Sequence, residues 1–66
     1  MNEETFNLSI RKFLKLVGVS SQREIEQAVA KALANGERAT SFPATMRLEI
    51  PGLQLDVKFD GEINLG

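Results

Sequence analysis

The sequence contains no cysteine, histidine, tryptophan or tyrosine. That excludes a disulfide framework, zinc or haem ligation of the common kinds, and thiolate or imidazole catalysis. The remaining proton-transfer groups are carboxylates and lysines, and none falls in an apolar setting that would tune it. An excess of charge is missing too: 8 Lys and Arg stand against 9 Asp and Glu, for a net charge of -1. A domain that lives on nucleic acid is usually far more basic. No apolar run approaches the ~20 residues that span a bilayer. The opening Met1-Asn2-Glu3-Glu4 is acidic where a targeting peptide would be basic. Low-complexity tracts and internal repeats are also lacking. These absences predict a cytoplasmic, free-standing protein with no enzymatic activity, no cofactor, no metal and no membrane partner.

What is present is enough to fold. Of the 66 residues, 42% are hydrophobic and 26% charged, too apolar for a disordered chain. A chain this short makes one domain and buries only about 60% of the surface that its unfolded form exposes.

Phe6, Ile10, Phe13, Leu14 and Val17 recur at the spacing of an amphipathic helix. With Asn2 as cap, Glu3 and Glu4 in the first turn, Lys15 in the last and Gly18 as terminator, this predicts a helix over 3–17. Ser21-Gln22-Arg23-Glu24 has the form of a capping box, and Ile25, Ala28, Val29, Ala32 and Leu33 follow it. A second helix is predicted over 22–35, stopped by Asn35-Gly36. Beyond Phe42-Pro43 the period changes to two. Met46, Leu48 and Ile50 alternate with polar residues, then Leu53, Leu55 and Val57 do so after Pro51-Gly52. Strands are predicted over 44–50, 53–58 and 62–65, with Leu48 facing Leu55 and Arg47 facing Asp56. A bulged loop Phe59-Asp60-Gly61, with Gly61 at positive φ, would set Val57 beside Ile63. The fold class is therefore α+β, a single domain over 1–66 with two N-terminal helices on one face of a three-stranded antiparallel meander (ααβββ).

The runs Met1-Asn2-Glu3-Glu4-Thr5-Phe6-Asn7, Arg11-Lys12-Phe13-Leu14-Lys15 and Gly18-Val19-Ser20-Ser21-Gln22-Arg23-Glu24-Ile25-Glu26 resemble a family of very short bacterial proteins of unknown function, mostly proteobacterial. The likeness continues into Pro43-Ala44 and Asp60-Gly61-Glu62. It implies a small free-standing bacterial protein and brings no catalytic or binding residues.

Chemical motifs are weak. Ser9-Ile10-Arg11-Lys12 matches S-x-x-K without a partner motif. Asp56 to Gly61 has the outline of a calcium loop, but Lys58 stands where an oxygen ligand belongs. Two helices and a hairpin have the outline of a winged helix-turn-helix. Against it, a turn at Gly18 puts Glu24 where a buried branched residue is needed, and Glu24 and Glu26 offset Arg23 and Lys31. The solvent face of the sheet carries no ring on which a base would stack. Opposite the core stripe, Leu8, Lys12 and Leu16 form a second stripe that predicts a partner-facing surface. The leading expectation is a non-enzymatic protein-interaction module that binds an unknown protein or forms a weak homodimer. The alternative is weak, non-specific nucleic-acid binding by helix-turn-helix-like helices, with Arg11, Lys15 and Arg23 as the anion contacts.

Overall fold

The helix does not stop at Gly18. In a computed structural model, which describes all 66 residues, one helix α1 runs from Glu3 to Ala34, about 48 Å at 1.5 Å per residue. This overturns the expected helices at 3–17 and 22–35. A glycine ends a helix by taking a left-handed conformation, and Gly18 does not take one. The residues either side explain why the helix carries on. Phe6, Val17 and Ala28 are each eleven residues apart, as are Ile10, Ser21 and Ala32. At three turns per eleven residues, the two apolar stripes are therefore one stripe in phase. Ser21 makes no capping hydrogen bond, since the Ser21 to Glu24 spacing is also that of neighbours inside a helix.

Both outer ends are as the sequence indicates. The Asn2 side chain accepts from the Thr5 amide at 3.1 Å, and Glu3 and Glu4 occupy the first turn. At the other end Gly36 has φ of 90°. Its amide donates to the Leu33 carbonyl at 3.1 Å, and the Glu37 amide donates to Ala32 at 3.0 Å. This pair of bonds satisfies carbonyls the helix leaves open. A Cβ at Gly36 would meet nothing within 4 Å, so the cost of a side chain there is purely conformational. Gly36→Ala is expected to lower stability by about 1 kcal/mol, read as a drop in the thermal midpoint of the helical circular dichroism. An unchanged midpoint would show that the left-handed cap contributes nothing.

The remainder is a hairpin of two long strands, β1 (Ser41–Ile50) and β2 (Leu55–Asn64), joined by a 3-10 turn at Pro51–Leu53 and by Gln54 at φ 54°. The expected third strand is the second half of β2. Leu55, Val57, Phe59, Gly61 and Ile63 keep one unbroken alternation. Asp60 and Gly61 therefore lie within the ladder, opposite Thr45 and Ala44, and not in a turn. Gly61 has no positive φ, and Val57 pairs with Leu48 instead of lying beside Ile63. The first turn also differs. Ile50 pairs with Leu55, so Leu48 faces Val57 and Arg47 faces Lys58. The expected register was two residues off. An even shift leaves each side chain on its own face, so the predicted faces survive although the partners change.

The result is a sheet with two contrasting sides. On one side five cross-strand pairs are apolar throughout: Phe42 with Ile63, Ala44 with Gly61, Met46 with Phe59, Leu48 with Val57, and Ile50 with Leu55. The other side carries Ser41, Thr45, Arg47, Glu49, Asp56, Lys58, Asp60 and Glu62. Helix and hairpin lie lengthwise against each other. The molecule measures 52 × 20 × 18 Å, and a ten-residue strand of about 33 Å fits only along the long direction. Ile25, Ala28, Val29 and Ala32 of α1 share a groove with Phe42, Ala44 and Ile63. This is an α+β architecture of one helix on a two-stranded antiparallel sheet.

Candidate functional site: an apolar surface without a core

No residue of the 66 is buried. A folded monomer of 7.3 kDa exposes about 4,200 Å² by the usual scaling, whereas this chain exposes 6029 Å². The excess is roughly 1,900 Å². Expressed as a fraction, the chain buries about 43% of its unfolded surface where about 60% is normal at this size. Exposed apolar side chains account for much of it.

Their distribution follows from the unequal lengths of the two layers. In three grooves between α1 and the hairpin the helix residues run from Ser20 to Leu33; further toward the N-terminus Val17 is half-buried, and every residue from Glu3 to Leu16 is exposed. Within that stretch Phe6 is 48% exposed and Phe13 49%, and Ile10, Leu14, Leu8 and Leu16 are exposed as well. At roughly 100° per residue these six side chains point to nearly every side of the helix, a pattern expected of a helix surrounded by protein. The hairpin has a matching opening. A cleft of about 710 Å³ separates Ser20, Ser21 and Glu24 from Met46 and Phe59, and Phe59 is 55% exposed.

Charge divides along the same line. Arg11, Lys12 and Lys15 lie within just over one turn of the N-terminal half and have no carboxylate within 4 Å. The helix wall of the cleft carries Glu24, whereas the carboxylates of Asp60 and Glu62 lie on the polar side of the sheet, where Asp60 accepts from Thr45 at 3.2 Å and Glu62 from Ser41 at 3.3 Å. On the polar side of the sheet, Asp56 takes a bidentate pair from Arg47 at 2.8 and 2.6 Å, and Glu49 lies 3.3 Å from the same guanidinium. The pair is diagonal and separates two like-charged cross-strand neighbours, Arg47 from Lys58 and Glu49 from Asp56. The hydrogen bond from Arg47 lowers the Asp56 pKa and correspondingly raises that of Arg47. Its small stabilisation is present above the unfolded carboxylate pKa and is lost as pH falls through the folded one.

The sequence-predicted residues are distributed along one element. Leu8, Lys12 and Leu16 lie on α1, all exposed, on the side away from the apolar stripe. Arg11 and Lys15 are one turn apart, while Arg23 is two turns further on and on another side, so the three expected anion contacts do not converge. The helix-turn-helix geometry is absent, because the supposed turn lies inside a continuous helix and no second helix remains to enter a groove. Sequence reasoning missed Met46 as a functional candidate by treating it as core, and Phe59 by placing it in a bulged loop. The signal that could have found Phe59 was the unbroken alternation from Leu55 through Val57 to Ile63.

A helix laid along a two-stranded hairpin, with much of its apolar surface exposed, makes a small α+β domain. The chain belongs to the family described as Family of unknown function (DUF6494), matched over residues 1–66. No curated protein and no solved structure matches it. No helix is long and apolar enough to cross a membrane.

Proposed function

We propose that this protein is a non-enzymatic, cytoplasmic protein-interaction module whose binding element is the N-terminal half of α1. The observation that carries the reading is that half-helix itself, apolar on nearly every side and exposed at every residue from Glu3 to Leu16. An isolated helix of that length is marginal in water, and a partner that covers it gains the area the chain leaves exposed. The inner side, with Phe6 and Phe13, continues the stripe that meets the hairpin. The outer side, with Leu8, Lys12 and Leu16, faces away and serves a separate contact.

The outer stripe has a direct test. Leu8→Lys with Leu16→Lys is expected to leave the far-ultraviolet circular dichroism unchanged and to reduce capture of partner protein by tenfold or more. That figure needs only about 1.4 kcal/mol, less than the burial of one leucine contributes. Equal capture by wild type and variant would make the stripe ordinary surface. A chain that associates with nothing, itself included, would end the module reading.

A further inference from the structure

We infer that the inner apolar face is covered by a second copy of this chain, in a two-fold dimer where the N-terminal half of each α1 occupies the other copy's cleft and sets Phe6 and Phe13 against Met46 and Phe59. The inference rests on the interaction-module reading and names the partner for one side of it. Three observations converge on a second copy.

The first is area. An excess of roughly 1,900 Å² per chain, taken over two chains, falls within the 2,000–5,000 Å² that obligate homodimers bury. One such contact would therefore return the molecule to the surface expected of its mass. The second is charge. The half-helix to be inserted carries Arg11, Lys12 and Lys15 with no carboxylate within 4 Å, and the helix wall of the cleft to receive it carries Glu24, which has no basic group within 4 Å. A neutral or acidic helix would lack that match. The third is closure. Insert and cleft are on the same chain, so a two-fold axis satisfies both at once and leaves neither open, as an isologous interface requires.

The sheet edges are poorer candidates for the contact. Leu65 donates to the Thr40 carbonyl at 2.7 Å, in step with the ladder, which marks the even positions of β1 as the hydrogen-bonded ones. The outward backbone positions are therefore Pro43, Thr45, Arg47 and Glu49 on β1, and Asp56, Lys58, Asp60 and Glu62 on β2. A proline and six charged residues on these edges are the usual protection against strand addition.

The test combines mass, concentration dependence and cross-copy contact in the full chain. Sedimentation equilibrium is expected to give twice the 7.3 kDa chain mass, and the thermal midpoint is expected to fall on dilution because unfolding is coupled to dissociation. In a mixture of isotope-labelled and unlabelled protein, filtered NOE spectra should join the Phe13 ring of one copy to the Met46 methyl of the other. Phe13→Lys should weaken the dimer at least tenfold, whereas Leu16→Lys should leave it intact. Glu24→Lys, on an exposed helix position that tolerates lysine, should weaken it severalfold at low salt and much less at high salt. A 7.3 kDa species that unfolds cooperatively at a concentration-independent midpoint overturns the second copy. In that case capture of another protein through Leu8 and Leu16 still decides the module reading separately. A monomer that becomes ordered only on added anionic vesicles overturns both, and a dimer whose cross-copy contacts join the two β2 edges overturns the helix-in-cleft arrangement.

Discussion

Gly18→Pro is expected to cost about 3 kcal/mol or more, because proline removes an amide donor and its ring clashes with the carbonyl four residues earlier. Position 18 is near the middle of a helix that runs from Glu3 to Ala34, so that bond and the carbonyl are both in use. Gly18→Ala should move the other way. A Cβ there meets nothing within 4 Å, and replacing a mid-helix glycine by alanine stabilises by roughly 0.5–1 kcal/mol. Thermal melts followed by circular dichroism measure both. If Gly18 instead ended a first helix in a left-handed conformation, alanine would destabilise by about 1 kcal/mol, while proline, whose φ is fixed at a negative value, would be costly in either case. A loss of stability in the alanine variant would therefore disprove the continuous helix.

The second large effect is expected at the contact between the layers. Ile25 and Ile63 line three grooves between α1 and the hairpin, which puts them at the centre of the packing between the layers. Truncating either to alanine should cost about 2 kcal/mol, at the low end for isoleucine because neither site is fully enclosed. Ile63→Asp should do more, placing a carboxylate among Ile25, Ala28, Val29 and Phe42 with no donor nearby. The expected result is loss of the dispersed amide spectrum of β1 and β2, with residual helix in α1. A double-mutant cycle at 25 and 63 should show coupling of about 0.5 kcal/mol or more. Additive effects would mean that the two side chains do not share one environment.

Local signals were legible where a single residue type has few alternatives. Asn2 caps α1 and Asn35-Gly36 ends it because a cap oxygen and a left-handed residue are satisfied within three or four positions of chain. The Arg47 to Asp56 attraction was also readable. It persists even though the register moved by two, since a guanidinium reaches a diagonal neighbour. Gly18, Ser21-Glu24 and Asp60-Gly61 misled for the opposite reason: each motif has a second use inside regular structure. Nothing in their immediate neighbours distinguishes the two uses. The distinguishing signal was longer in range, in the eleven-residue phase from Phe6 through Val17 to Ala28 and the unbroken alternation from Leu55 to Ile63.

The amino-acid sequence by itself determined the two ends of the helix, the apolar and polar sides of the sheet, and the shortage of groups for catalysis. All of these depend on residue type and on periods of 3.6 or 2, which act within a few residues. Only the tertiary structure decided that the elements number three and not five. It alone decided that Met46, Phe59 and the helix from Glu3 to Leu16 are left exposed. The physical reason is that burial is a property of the space between elements. A stripe of Phe6, Ile10, Phe13 and Val17 reads identically whether it faces the chain's own sheet or another molecule, and that choice depends on how far two layers of unequal length overlap.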